Sequence, residues 1–229
     1  MMSEQQLALN LPVRPAQGRM DFLVAPCNAQ AVALVDCFPD WPMPVQCFYG
    51  VSGCGKSHLV AVLSQHYKTV SFVVADLNDT SQQVTAYLNG TLKADIVVVD
   101  AVHNLTQINE EILFHMLNHA HHGGAPLLLL AQYAPAYIDI KLPDLASRLR
   151  AIEAIAMRAP DDFLVAGLLQ KLFIDRQLRV DRRVIDYMVM RVERDFASIG
   201  RIVEALDKLA LQEKKSITVP FVARVLESY

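Results

Sequence analysis

Residues Gly50-Val51-Ser52-Gly53-Cys54-Gly55-Lys56-Ser57 satisfy the pattern G-x-x-x-x-G-K-[ST]. They lie directly between an apolar run ending at Tyr49 and a helical run that continues through His58, Leu59, Val60 and Leu63. That context restricts the chain to an α/β fold in which a strand enters a glycine turn and leaves it as a helix. The glycines let the backbone curl so that successive N–H groups converge on phosphate oxygens, and the helix N-terminus adds its partial positive charge. Lys56 then reaches the outer phosphates, and the Ser57 hydroxyl is placed for Mg²⁺. The expected ligand is therefore ADP or ATP with Mg²⁺, held by Gly50, Ser52, Gly53, Cys54, Gly55, Lys56, Ser57 and His58.

Around the motif, β-rich runs alternate with helical ones. Strands are predicted near 45–49, 70–75, 95–100, 127–132 and 151–157. A helix over 28–37 precedes the first of them and is stopped by the Pro39, Pro42 and Pro44 turn. Alternation of this kind predicts parallel strands joined by crossover helices. The runs Ile96-Val97-Val98-Val99 and Leu127-Leu128-Leu129-Leu130 are apolar at every position, as expected of strands covered on both faces. After Pro160 the β signal stops, and helical segments are predicted near 161–176, 181–192, 196–212 and 218–227, with Asp or Thr at their starts. Composition agrees with a packed chain in two units: 229 residues, 53% hydrophobic and 20% charged.

The run Asp95-Ile96-Val97-Val98-Val99-Asp100 delivers Asp100 to the carboxyl edge of the sheet, where it can hold a Mg²⁺-bound water. The next residue is Ala101, which cannot orient an attacking water, so weak intrinsic hydrolysis or none is expected. His103 has the chemistry of a base, although a loop histidine commonly bonds only to solvent. His115 and His119, four apart, have metal-ligand spacing, but Ile112, Leu113, Met116, Leu117 and Ala120 define a buried helix stripe there. His121-His122-Gly123-Gly124 then reads as the helix end.

The net charge of −3 argues against a protein that neutralises many phosphates of a nucleic acid, so any DNA contact is expected to be indirect or weak. Cys27, Cys37, Cys47 and Cys54 form no CxxC pair, which favours a reducing, cytoplasmic setting. No stretch approaches the roughly 20 apolar residues of a membrane span, so no membrane partner is expected.

Taken together, the P-loop, the strand ending in Asp100 and the helical C-terminal segment resemble the AAA+ ATPases of the DnaA branch and, more narrowly, the DnaA regulatory inactivator family. The stretches most specific to that likeness are Gln6-Leu7-Ala8-Leu9-Asn10-Leu11, Gly50 to His58, Leu142-Pro143-Asp144-Leu145-Ala146-Ser147-Arg148-Leu149 and Ile217-Thr218-Val219-Pro220-Phe221. The resemblance implies an AAA+ sheet core over 20–158, a small all-helical lid over 159–229 and a flexible tail over 1–19. It implies that Gln6, Leu7, Leu9 and Leu11 dock in the hydrophobic cleft of the DNA polymerase sliding clamp. Apolar anchors on a tail of this kind suit that role, though an edge strand packed back on the body has the same pattern. Arg148 matches the family's arginine finger, a residue that reaches the nucleotide of a neighbouring protein; Arg150 lies close by.

By the same resemblance Phe22 lies near the adenine, and Gln132 stands where a polar residue senses the terminal phosphate. The likeness puts Ala197 where the family carries a nucleotide-touching arginine; Arg194 and Arg201, a helical turn to either side, are the candidate substitutes. The sequence after 217–221 carries no helix-turn-helix of the DnaA kind, so autonomous sequence-specific DNA binding is not expected. The implied function is negative regulation of replication initiation, with DnaA and the clamp as partners. Two alternatives are a self-sufficient ATPase that remodels or loads a replication protein, and a DnaA-like adaptor that activates no ATPase.

Overall fold

The structure, a computed structural model, describes residues 23–77 and 81–227. They divide into two compact units, one formed by 28–158 and the other by 23–27 together with 159–227.

The first unit is a five-stranded parallel sheet, in the order β2-β3-β4-β1-β5. The strands are β1 (Val45–Tyr49), β2 (Thr69–Val73), β3 (Ile96–Asp100), β4 (Leu127–Ala131) and β5 (Ala154–Ala156). Burial follows the sequence pattern. The uninterrupted apolar strands β1, β3 and β4 are central and buried on both faces, whereas β2 and β5, with mixed burial, form the two edges. The helices of this unit are α1 (Ala29–Asp36), α2 (Lys56–Ser64), α3 (Gln82–Leu88), α4 (Gln107–His121) and α5 (Pro143–Ala151). Side chains such as Phe72, Tyr87, Val97, Val99, Leu113, Met116, Leu117, Leu127 and Leu129 fill its core. The last strand is shorter than the sequence suggests, because α5 continues through Ala151 and the chain becomes extended only at Ile152.

The second unit is all-helical: α6 (Asp162–Asp175), α7 (Arg182–Val189), α8 (Phe196–Glu213) and α9 (Val219–Leu226). Asp161, Asp181 and Asp195 are the N-caps of α6, α7 and α8, and each accepts hydrogen bonds from backbone N–H groups of the first turn. Its core is built from Val165, Leu169, Phe173, Val184, Met188, Ile199, Val203, Leu206 and Val222. Leu23, Ala25 and Cys27 pack beside Leu164 in this unit rather than on the sheet.

Candidate nucleotide-binding site

The P-loop leaves β1 through Gly50, whose N–H donates to the Ala131 carbonyl of β4 at 3.1 Å. Gly50 has φ +155°, and a Cβ placed there would lie 2.0 Å from the Met157 carbonyl oxygen, so no side chain fits. Gly55, at φ 100°, is the N-cap of α2, and with no side chain of its own it leaves the first N–H groups of that helix without competition. Lys56 curls over the loop: its Nζ donates to Gly50 O at 2.6 Å and to Val51 O at 3.0 Å. Ser57, in the first turn of α2, is exposed, as is Ser52 within the loop, while Cys54 is buried beneath it. Burial pushes the Cys47 thiol of β1 up to about 12 against the opposing pull of Lys56, so that thiol is inert. Burial also lowers the pKa of His58. A glycine loop whose first residue admits no Cβ, a lysine ammonium over it and an exposed hydroxyl on the first turn of the helix are the groups that a nucleoside polyphosphate with Mg²⁺ requires. The residues fit the group.

Strand order carries further candidates to the same edge of the sheet. β4 lies between β1 and β3, so the carboxyl ends of the three deliver Gly50, Gln132 and Asp100 side by side. Asp100 Oδ1 accepts the Ala101 N–H at 2.6 Å, and Ala101 adopts φ 60°, a left-handed conformation uncommon for alanine. The short 3-10 turn Val102–Asn104 that follows brings His103 back against β4, where Nδ1 accepts the Gln132 N–H at 3.3 Å. The Tyr133 ring meets it edge-on, with centroids 6.0 Å apart. Burial lowers the His103 pKa; Asp100 pulls it up and Lys56 pushes it down. The Gln132 side chain is exposed.

Arg148 is exposed on α5, and its guanidinium lies 5.1 Å from the centre of the Phe114 ring of α4. Among the described residues no carboxylate pairs with it; Arg150 is likewise exposed. The helix is anchored by a residue that sequence reasoning missed. Glu110, 2% exposed, accepts the Lys141 N–H at 3.1 Å and the Leu142 N–H at 2.7 Å, directly before α5 begins. The available signal was a carboxylate on the buried stripe, three and seven residues ahead of Leu113 and Leu117. Phe22 and the clamp-motif residues Gln6, Leu7, Leu9 and Leu11 lie outside the described residues.

In the helical unit, Ala197 is exposed in the first turn of α8. Arg194 is engaged by Asp162 and by the Pro160 carbonyl at 3.2 Å. Arg201 donates to Ser198 Oγ at 2.8 Å. Both arginines therefore have partners within their own unit.

Strand order, P-loop and helical unit together give the fold of the P-loop AAA+ class. Residues 166–226 match the family model described as Hda, lid domain. The fold is the AAA+ fold shared with DnaA. Domain III of the replication initiation protein DnaA from Thermotoga maritima superposes with TM-score 0.74 at 17% identity, covering 91% of this chain and 94% of that one. AMPPCP-bound DnaA from Aquifex aeolicus gives 0.65 at 18% identity, covering 84% of this chain and 67% of that chain. Thermotoga maritima RuvB gives 0.68 at 13%, covering 88% and 68%. In sequence, the chain is 28% identical over 194 residues to an uncharacterized protein of Haemophilus influenzae, covering 82% of this chain and 83% of that one. No helix among the described residues is long and apolar enough to cross a membrane.

Proposed function

We propose that the chain is a nucleotide-dependent negative regulator of replication initiation, which stimulates ATP hydrolysis by DnaA through Arg148. The observation that carries this reading is the Arg148 side chain itself: exposed at the surface of α5, without a carboxylate partner among the described residues, on a helix held in place by a buried anchor. A planar, permanently charged guanidinium offered in trans suits the charge that develops on a transferring phosphoryl group.

The chain's own nucleotide is held by Gly50, Gly53, Gly55 and Lys56, with Ser57 on Mg²⁺ and Asp100 on a Mg²⁺-bound water. The AMPPCP bound by Aquifex aeolicus DnaA favours adenine. Bound there, the nucleotide supplies binding energy that stabilises the folded state. Turnover is not required, and Ala101, where a carboxylate would orient water, fits that role. Gln6 to Leu11 tether the protein to the sliding clamp, DNA is contacted only through it, and the compartment is the cytoplasm. Gln132 stands at the terminal-phosphate end of the site, and Phe22, Arg194 and Arg201 are the further candidates for nucleotide contact.

A second reading, a self-sufficient ATPase, is favoured by one observation: His103 and Gln132 meet at the sheet edge that also carries Asp100 and the P-loop. ATP turnover by purified DnaA separates the two, measured with and without this protein, DNA-loaded clamp and Arg148→Ala. Stimulation only by the wild-type chain with loaded clamp is expected. Turnover by this protein alone, with DnaA unaffected, would establish the second reading instead.

A further inference from the structure

His103 belongs to neither the P-loop nor the strand that ends in Asp100. Its Nδ1 accepts the backbone N–H of Gln132. An imidazole nitrogen that accepts a hydrogen bond carries no proton, so in the neutral ring the proton resides on Nε2. Among the described residues Nε2 has no hydrogen-bond partner: the ring meets the Gln132 N–H at Nδ1 and the edge of Tyr133. The result is an oriented N–H donor held between the carboxyl ends of β3 and β4, at the sheet edge that also carries the P-loop.

We infer that His103 is the residue by which this chain distinguishes a nucleoside triphosphate from a diphosphate, donating its Nε2–H to the terminal phosphate. The inference rests on the P-loop holding a nucleotide. A neutral donor is suited to discrimination here. The cation at Lys56 attracts any polyphosphate, whereas a single directed N–H rewards only a ligand whose oxygen reaches it. Gln132 contributes through its backbone, so its exposed side chain is dispensable for this step. The contact also joins the ligand end of the site to β4, whose continuation, the 3-10 turn Pro135–Tyr137, leads into the segment before α5.

The test is equilibrium binding of fluorescent ADP and of the fluorescent non-hydrolysable analogue AMPPCP to the full chain, its His103→Ala variant and its His103→Gln variant, with circular dichroism to verify folding. His103→Ala is expected to weaken AMPPCP about tenfold, near 1.4 kcal/mol, and to leave ADP within about twofold. His103→Gln, which keeps an N–H donor, should recover part of the loss. Equal weakening of both nucleotides, or an unchanged ratio in either folded variant, overturns the inference while leaving the nucleotide site in place. Failure of the wild-type chain to bind either nucleotide overturns the site itself.

Discussion

At the scale of single residues, the same physics that builds the site also fixes the acid limit of the helical unit. Asp195 caps α8 by accepting the Ala197 N–H at 3.2 Å and the Ser198 N–H at 2.9 Å. Burial alone would raise its pKa, but the hydrogen bonds from Ser198 and Ala197, together with the Arg201 charge, outweigh it and hold the carboxyl below the ordinary value. A depressed carboxylate contributes stability that is fully present above its unfolded pKa and is lost as pH falls through the folded value. Asp195→Ala should therefore cost about 1 kcal/mol at pH 7. The deficit should shrink as the pH is lowered through the carboxylate range. Urea denaturation followed by circular dichroism at several pH values checks this; a pH-independent deficit would mean that the carboxylate charge plays no part. An Asp before a helical run was readable as a cap. That Arg201 would turn back onto this cap was not, because nothing in linear spacing fixes where a long side chain ends.

At the scale of elements, α4 and α5 form the part of the sheet unit on which the functional reading depends most. α4 buries its apolar stripe against the sheet and turns Glu110 toward the two N–H groups that precede α5. Pro143 in the first turn of α5 has no N–H to satisfy, and the carboxylate takes the two amides just ahead of it. Removing Glu110 leaves those amides without their acceptor, a cost of about 2–3 kcal/mol. Glu110→Ala should lower the denaturation midpoint accordingly, and Glu110→Gln, which retains one acceptor oxygen, should lose less. If α5 presents Arg148 to DnaA, both variants should also reduce stimulated hydrolysis at saturating clamp in the same order. Stability and stimulation measured on the same preparations decide whether the anchor serves position as well as folding. The helix itself was legible from its stripe, but the partner of Glu110 is thirty-one residues away in sequence, and periodicity carries no information about contacts at that separation.

For the whole molecule, nucleotide binding and stability are one equilibrium. A ligand that binds only the folded chain at a hundred times its dissociation constant adds about 2.7 kcal/mol. For a chain of this length that corresponds to a rise of roughly 5–10 °C in the melting temperature. ADP with Mg²⁺ should raise the wild-type midpoint by that order. Lys56→Ala should abolish the shift, and it should also lower the midpoint without nucleotide, since Lys56 Nζ holds the Gly50 and Val51 carbonyls. Differential scanning fluorimetry reads both effects.

The sequence by itself determined the class of fold, the phosphate loop and the succession of a parallel sheet by a helical unit. Those properties are written in local patterns: glycines where the backbone must curl, unbroken apolar runs where a strand is covered on both faces, and Asp or Thr where helices begin. Tertiary structure alone decided the strand order that brings Asp100, His103 and Gln132 to one edge, the partners that engage Arg194 and Arg201, the anchoring of α5 by Glu110, and the placement of 23–27 in the helical unit. The physical reason is that a pattern along the chain reports what each residue must bury or satisfy, whereas the identity of the group that satisfies it is settled only when distant segments compete for the same hydrogen bonds and the same apolar surface.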